Sequence, residues 1–226
     1  MSIYRKDIYV FDGDRPVKAL IRSYTEADFE GLIRIQQESF PPPFSPELWW
    51  NEEQLGNHVR LFPEGALCVE IEGELAASMT GMLVNYNPGD PDHSWVEMTD
   101  AGYICNHLAD GNTLYVVDIG ARPAYRKLGL GKWLMLSMYE VVVRLNLQRL
   151  LGGGRLPGYD RVADEMSAQD YVQAVIEGKL KDPVLTFLLR CGRTPVRLMA
   201  DYLDDEESHN YAMLMEWRNP FLPQES

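Results

Sequence analysis

The chain has 226 residues, enough for one generous domain with a sizeable core. Its formal charge of -13, from 34 acidic against 21 basic residues, excludes the basic stripe that a nucleic-acid-binding face requires. The three cysteines, Cys68, Cys105 and Cys191, lack any paired spacing, so neither a zinc site nor a disulfide framework is expected. Residues 1–20 carry Arg5, Lys6 and Asp7 without an apolar signal-peptide core, and no apolar run approaches the ~18 residues of a membrane helix. A cytoplasmic, soluble globular protein is the expectation.

In chain order, residues 1–17 are polar and mixed, with turns at Asp12-Gly-Asp14 and Pro16, and read as a tail or edge element. Lys18 to Ser23 reads as a short strand. Thr25-Glu-Ala-Asp28 opens a helix in capping-box fashion, with Phe29, Leu32, Ile33, Ile35 and Phe40 at helical spacing until Pro41 to Pro43 stop it. Ser45-Pro46-Glu47 is expected to begin a second helix carrying Leu48, Trp49, Trp50 and Leu55 toward Arg60. Ala66 to Ile71 and Leu75 to Val84, around Glu72-Gly73, form a hairpin. The polar stretch from Asn85 to Asn112 is long for a connection, and such loops often carry function.

Leu114 to Ala121 is a β-branched apolar run and predicts a buried strand. The segment Arg126 to Gly131 then reads R-x-x-G-x-G and opens a helix carrying Trp133, Leu134, Leu136, Met138, Val141 and Val142. A strand, a glycine turn and a helix start are the parts of an anion site. The first helical N–H groups lack intrahelical partners, the helix dipole is positive there, and glycine permits close approach. The spacing fits neither the dinucleotide fingerprint nor the P-loop. Leu147 to Leu151 predicts a strand parallel to the first, and Gly152-Gly-Gly-Arg155 reads as a loop at its C-terminal end that lies close to a ligand. Ser167 to Lys179 and a segment opened by Asp182-Pro183 are expected helices; Val196 to Met199 and Tyr211 to Trp217 are the last strands, joined by a solvated turn at Asp204 to Glu207. Residues 221–226 read as a C-terminal tail.

The string Ile119-Gly-Ala-Arg-Pro-Ala-Tyr125, followed by R-x-x-G-x-G and a helix, resembles the acetyl-CoA motif of the GCN5-related N-acetyltransferases, the GNAT superfamily. The resemblance covers 18–220 and implies an α/β (α+β) fold: a mixed central sheet with splayed parallel strands 4 and 5 and helices on both faces. It implies that the backbone of Arg126, Lys127, Leu128, Gly129, Leu130 and Gly131, with Lys132, holds the CoA pyrophosphate. It implies too that the strand at Ile119, Gly120 and Ala121 pairs with the pantetheine arm. The activity implied is transfer of an acetyl or short acyl group from acyl-CoA to a primary amine, small or peptidic, by direct attack. The family's general acid is a Tyr in a Phe-Tyr-x-x-x-Gly pattern; here the string is Phe187-Leu-Leu-Arg-Cys-Gly192, so Leu188 stands where that acid would be.

Proton transfer is therefore assigned elsewhere. Asp118 on the strand, Glu97 in the long connection and Tyr159 are the catalytic candidates, while Gly153, Gly154 and Arg155 are expected to meet the substrate, Arg155 through an anionic group. No metal site is expected. The strings Gly153-Gly-Arg-Leu-Pro-Gly-Tyr, Met166-Ser-Ala-Gln-Asp-Tyr-Val and Trp217-Arg-Asn-Pro220 resemble the GNAT subgroup fused to carbon–nitrogen hydrolase (nitrilase-like) domains. That resemblance adds an alternative, a non-catalytic acyl-CoA-binding or sensing module that associates with such a hydrolase. It leaves the oligomeric state open, a homodimer included.

Overall fold

The computed structural model describes residues 4–223. Its centre is an eight-stranded mixed sheet in the order β1-β2-β3-β4-β5-β6-β8-β7. The stretch expected as tail or edge element supplies the edge strand β1, Arg5–Asp12, which pairs antiparallel with β2, Arg15–Ser23, around Gly13 at φ +59°. The pivot strand is accordingly the fifth of the sheet rather than the fourth. After α1, Phe29–Ser39, the expected second helix is split. Pro46–Leu48 forms only a 3-10 turn, and α2, Glu52–Leu61, starts afresh at Asn51, whose side chain caps the Gln54 N–H. Trp49 and Trp50 thus lie on the connection between two helical pieces.

Strands β3, Ala66–Ile71, and β4, Glu74–Val84, form the expected hairpin. The long connection contains a short helix, α3, Trp95–Thr99, and leads to β5, Thr113–Ala121. A 3-10 turn, Pro123–Leu128, then precedes α4, Leu130–Arg144, and β6, Arg149–Arg155. The three glycines are strand residues of β6, which corrects the loop expected there. Packing explains them, since a Cβ on Gly152, Gly153 or Gly154 would meet Val116, Tyr202 or Leu188 at 3.0, 2.4 and 2.5 Å. The remaining elements are α5, Ala168–Ile176, α6, Leu185–Arg190, β7, Thr194–Met199, and β8, Ala212–Arg218.

One core, containing α4, α5 and α6, covers one face of the sheet; the other, with Leu32, Ile35, Leu55, Trp50 and Trp95, packs α1, α2 and α3 on the opposite face. Alternation along β5 serves both, with Leu114 in the first and Tyr115 in the second. Strands β5 and β6 form the single parallel pair among the described residues, and its register runs only over Thr113↔Arg149, Leu114↔Leu150 and Tyr115↔Leu151. Beyond Tyr115 the two strands part. No described helix is long and apolar enough to cross a membrane.

Candidate active site

Where β5 and β6 diverge, two connected spaces open. The first is a groove of about 690 Å3 that starts at the glycine turn. Arg126, Gly129, Leu130, Gly131 and Lys132 line one end, Gly120 and Ala121 one wall, and Pro41 to Pro43 with Phe187 and Leu188 the others. Gly129 sits at φ +70° as the residue before α4, a left-handed conformation that glycine adopts without steric cost, and nothing lies within 4 Å of where its Cβ would be. The N-terminus of the 15-residue α4 therefore meets the groove with an unobstructed backbone. The Arg126 guanidinium donates to the carbonyls of Ala121 and Ser39, tying the turn to the end of α1. Lys127 and Lys132 are exposed and have no ion-pair partner among the described residues. The Ser39 hydroxyl, in the groove wall beside Gly120, is buried without a hydrogen-bond partner.

The second space is a chamber of about 140 Å3 that shares Phe40, Phe44, Ile119, Arg155 and Val184 with the groove. Its remaining walls are Gln36, Leu48, Trp50, Trp95, Val116, Val117, Asp118, Gly153, Tyr202 and Leu203. Four consecutive β5 residues, Val116 to Ile119, line it, although an ideal strand would offer only every second one. The cause is a bulge. Thr80 pairs with Asp118 and Gly81 with Val116, which leaves Val117 without a partner and bends the strand. The Val117 carbonyl accepts the Trp95 indole N–H at 2.9 Å. The bulge thus anchors the long connection above the chamber.

Asp118 is the chamber's ionisable centre. The Gln36 amide donates to its Oδ2 at 2.7 Å. Removal from bulk water pushes its pKa up to about 7, and the hydrogen bonds from Gln36 and the Ile119 backbone only partly oppose that rise. Gln36 itself is buried on the apolar face of α1 beside Leu32 and Ile35. Arg155 stands at the junction of chamber and groove, and its Nε donates to Asp205 at 2.7 Å. Its other end reaches Asp205 and Glu207, and the guanidinium lies 4.9 Å from the Phe44 ring centroid. That corrects two expectations. Asp205 is a buried ion-pair partner rather than a residue of a solvated turn, and the charge of Arg155 is already met by carboxylates.

The other candidates lie apart from this site. Glu97 is exposed and closes the capping box of α3, accepting from the Ser94 N–H and hydroxyl. Tyr159 packs among Tyr171, His209 and Tyr211, and its hydroxyl donates to the Met166 carbonyl. Of the glycines, Gly153 lines the chamber, while Gly154 packs on Leu188. Sequence reasoning missed Gln36, Phe40, Phe44, Trp50, Trp95 and Tyr202. A glutamine on the buried stripe of an amphipathic helix was the one legible signal. Among the residues lining the chamber, Tyr202 alone carries a hydroxyl. It hydrogen-bonds the Tyr115 hydroxyl at 2.8 Å, which in turn lies 3.0 Å from His93 Nε2.

The model of the acetyltransferase (GNAT) family matches residues 29–153. A Bacillus subtilis protein named uncharacterized N-acetyltransferase YkwB is 55% identical over 99% of both chains. The probable hydrolase YhcX of the same organism is 40% identical over 92% of this chain, which spans only 40% of that relative's length. Among solved structures, the loading GNATL domain of CurA from Lyngbya majuscula superposes with a TM-score of 0.76 at 16% identity, covering 89% of this chain and 98% of that one. The GphF GNAT-like decarboxylase, solved with isobutyryl-CoA, gives 0.74 at 19% identity over 88% and 98%. The ribosomal-protein-S18-alanine N-acetyltransferase of Escherichia coli gives 0.54 at 11% identity over 91% and 97%. The chain shares its fold with these structures, and it belongs to the acetyltransferase (GNAT) family.

Proposed function

We propose that the protein transfers a short acyl group from acyl-CoA to a primary amine inside the chamber. The observation that carries this reading is the continuity of the two spaces: a groove that begins at an open helix N-terminus joins a chamber that holds a half-buried carboxyl group. The groove suits CoA. The N–H groups of the turn at Arg126 to Gly131 and the charges of Lys127 and Lys132 would receive the pyrophosphate. The partnerless Ser39 hydroxyl and the unpaired edge of β5 at Ile119 to Ala121 would meet the amides of the pantetheine arm.

Asp118 would then receive the ammonium form of the acceptor and take one proton from it, since a carboxyl with pKa about 7 stands poised near neutral pH. The free amine attacks the thioester carbon, while strand N–H groups near Ile119 to Ala121 stabilise the oxyanion. On collapse the C–S bond breaks, the nitrogen's second proton passes to the departing sulfur, and CoA leaves as the thiol. Leu188 cannot assist that departure. Tyr202 would do so by donating a hydrogen bond to the sulfur as charge develops, with Tyr115 and His93 behind it. Holding the thioester at the end of the groove against the amine in the chamber supplies most of the acceleration such a reaction needs.

The reading is tested by incubating the protein with acetyl-CoA and a panel of amines, following thiol release and the mass of the product. Amide formation that Asp118→Asn reduces by ~10²-fold or more is the expected result. Thiol release without an amide product, or amide formation indifferent to Asp118→Asn, contradicts it.

A second reading is favoured by one observation. The GphF decarboxylase superposes at 0.74, whereas the ribosomal-protein N-acetyltransferase reaches only 0.54. In that reading an acyl-CoA with a carboxylate on its α-carbon enters the apolar chamber and loses CO2, and protonated Asp118 returns a proton to the α-carbon. Conversion of malonyl-CoA to acetyl-CoA in the absence of any amine distinguishes it.

A further inference from the structure

The walls of the chamber say what kind of amine it takes. Its volume of about 140 Å3 is close to the ~150 Å3 of apolar protein cavities that take up a benzene ring. Phe40, Phe44, Leu48, Trp95 and Leu203 give it an apolar lining, and the Trp50 and Trp95 rings are stacked with centroids 6.4 Å apart. Against this stands one seat for one positive charge, the Asp118 carboxyl held by Gln36. The other charged residue of the wall, Arg155, is cationic and already paired with Asp205 and Glu207. A second ammonium would enter without a counter-charge and would meet that guanidinium, and burying an unpaired charge is strongly unfavourable.

We infer that the acceptor is a compact, apolar primary monoamine, with an aliphatic or aromatic body of about the size of a benzene ring, and that Asp118 selects it by its single charge. This rests on the acyl-transfer reading for its chemistry, but the seat itself is defined by binding. Polyamines, aminoglycosides and lysine side chains flanked by polar peptide are excluded by charge or by bulk. Trp50 belongs to the same wall, and its indole N–H is buried without a hydrogen-bond partner among the described residues.

The experiment uses 2-phenylethylamine, n-hexylamine, spermidine and lysine as probes against the protein saturated with CoA, by calorimetric titration, and in parallel as acceptors with acetyl-CoA. The two apolar monoamines should bind at least ~10-fold more tightly than spermidine or lysine, and Asp118→Asn should remove that binding while leaving the affinity for CoA unchanged. Turnover should follow the same order. Equal or tighter binding of spermidine, or monoamine binding unaffected by Asp118→Asn, overturns the inference. If the monoamines bind through Asp118 but no amine is acylated, the seat stands and the acyl-transfer reading fails; if only polyamines are acylated, transfer stands and the seat is wrong.

Discussion

In the proposed reaction, Asp118 sets function against stability. Its folded pKa of about 7 exceeds its ordinary value of 3.8, so the native state holds its proton more tightly than the unfolded chain does. Wild-type stability therefore falls through this group as pH rises from about 4 to about 7, and levels off above. Asp118→Asn keeps an acceptor for Gln36 and has nothing to ionise, so it should be more stable than wild type by roughly 2–4 kcal/mol at pH 8, with the gain nearly gone at pH 4. Urea denaturation at the two pH values measures this; a variant less stable at pH 8 contradicts the assignment. Catalysis should run the opposite way, with acyl transfer rising through pH about 7 as Asp118 ionises and a rise missing from the residual activity of Asp118→Asn. Tyr202→Phe removes the chamber's one hydroxyl without changing its shape, and should lower kcat about 10-fold with the KM for acyl-CoA little changed. Asp118 was legible from its place on the pivot strand. Tyr202 was not, because the loop that brings it beside Gly153 lies far along the chain and no periodicity records that approach.

The element that shapes the chamber is the long connection between β4 and β5. It is held by several independent contacts: the Trp95 N–H to the Tyr202 carbonyl at 2.7 Å, the Trp95 indole to Val117, the Gln54 amide to the Ala101 carbonyl, and His58 Nε2 to the Gly102 carbonyl at 2.7 Å. His58 is buried, its pKa pushed down to about 4 by desolvation, so it stays neutral and also meets the Tyr24 hydroxyl. Below its ordinary value of 6.5 the unfolded chain binds the proton that native His58 refuses, so this contact weakens the fold as pH falls from 6.5 to about 4. Trp95→Ala should cost about 3–5 kcal/mol through the cavity it leaves, and should raise the KM for the amine while the affinity for CoA changes little. Thermal unfolding and steady-state kinetics check both; an unchanged amine KM would show that the connection does not form the acceptor wall. The sequence marked this segment as too long for a plain connection. Its short helix escaped notice because five residues, Trp95–Thr99, carry no readable period, and the helix is held by the Ser94–Glu97 capping box and by Trp95 docking.

At the scale of the molecule, eight strands among the described residues divide two cores, and the sheet opens between β5 and β6. The β-branched run of β5, the glycine turn and α4 could be read in advance, because local residue patterns specify each of them. The first strand was legible as well, in the strand-forming run Ile8 to Phe11 that pairs with β2, although the charged residues around it read as a tail. The place of the three glycines was not, since small residues suit a loop and a crowded strand equally, and only the approach of Val116, Tyr202 and Leu188 decides between them. The opening of the sheet joins the glycine turn before α4 to the half-buried carboxyl of Asp118, and the proposed anion site at the turn is the more readily measured half of that junction. Calorimetric titration of acetyl-CoA into the wild-type protein and into Gly129→Glu and Lys132→Glu is the most direct test. Gly129→Glu places a carboxylate in the turn but also strains φ +70°, whereas Lys132→Glu inverts a charge on an exposed helical residue without that strain. The account predicts micromolar binding by the wild type and a loss of at least ~10-fold in Lys132→Glu with the fold intact by circular dichroism. No binding by the wild type, or equal binding by all three proteins, would contradict it.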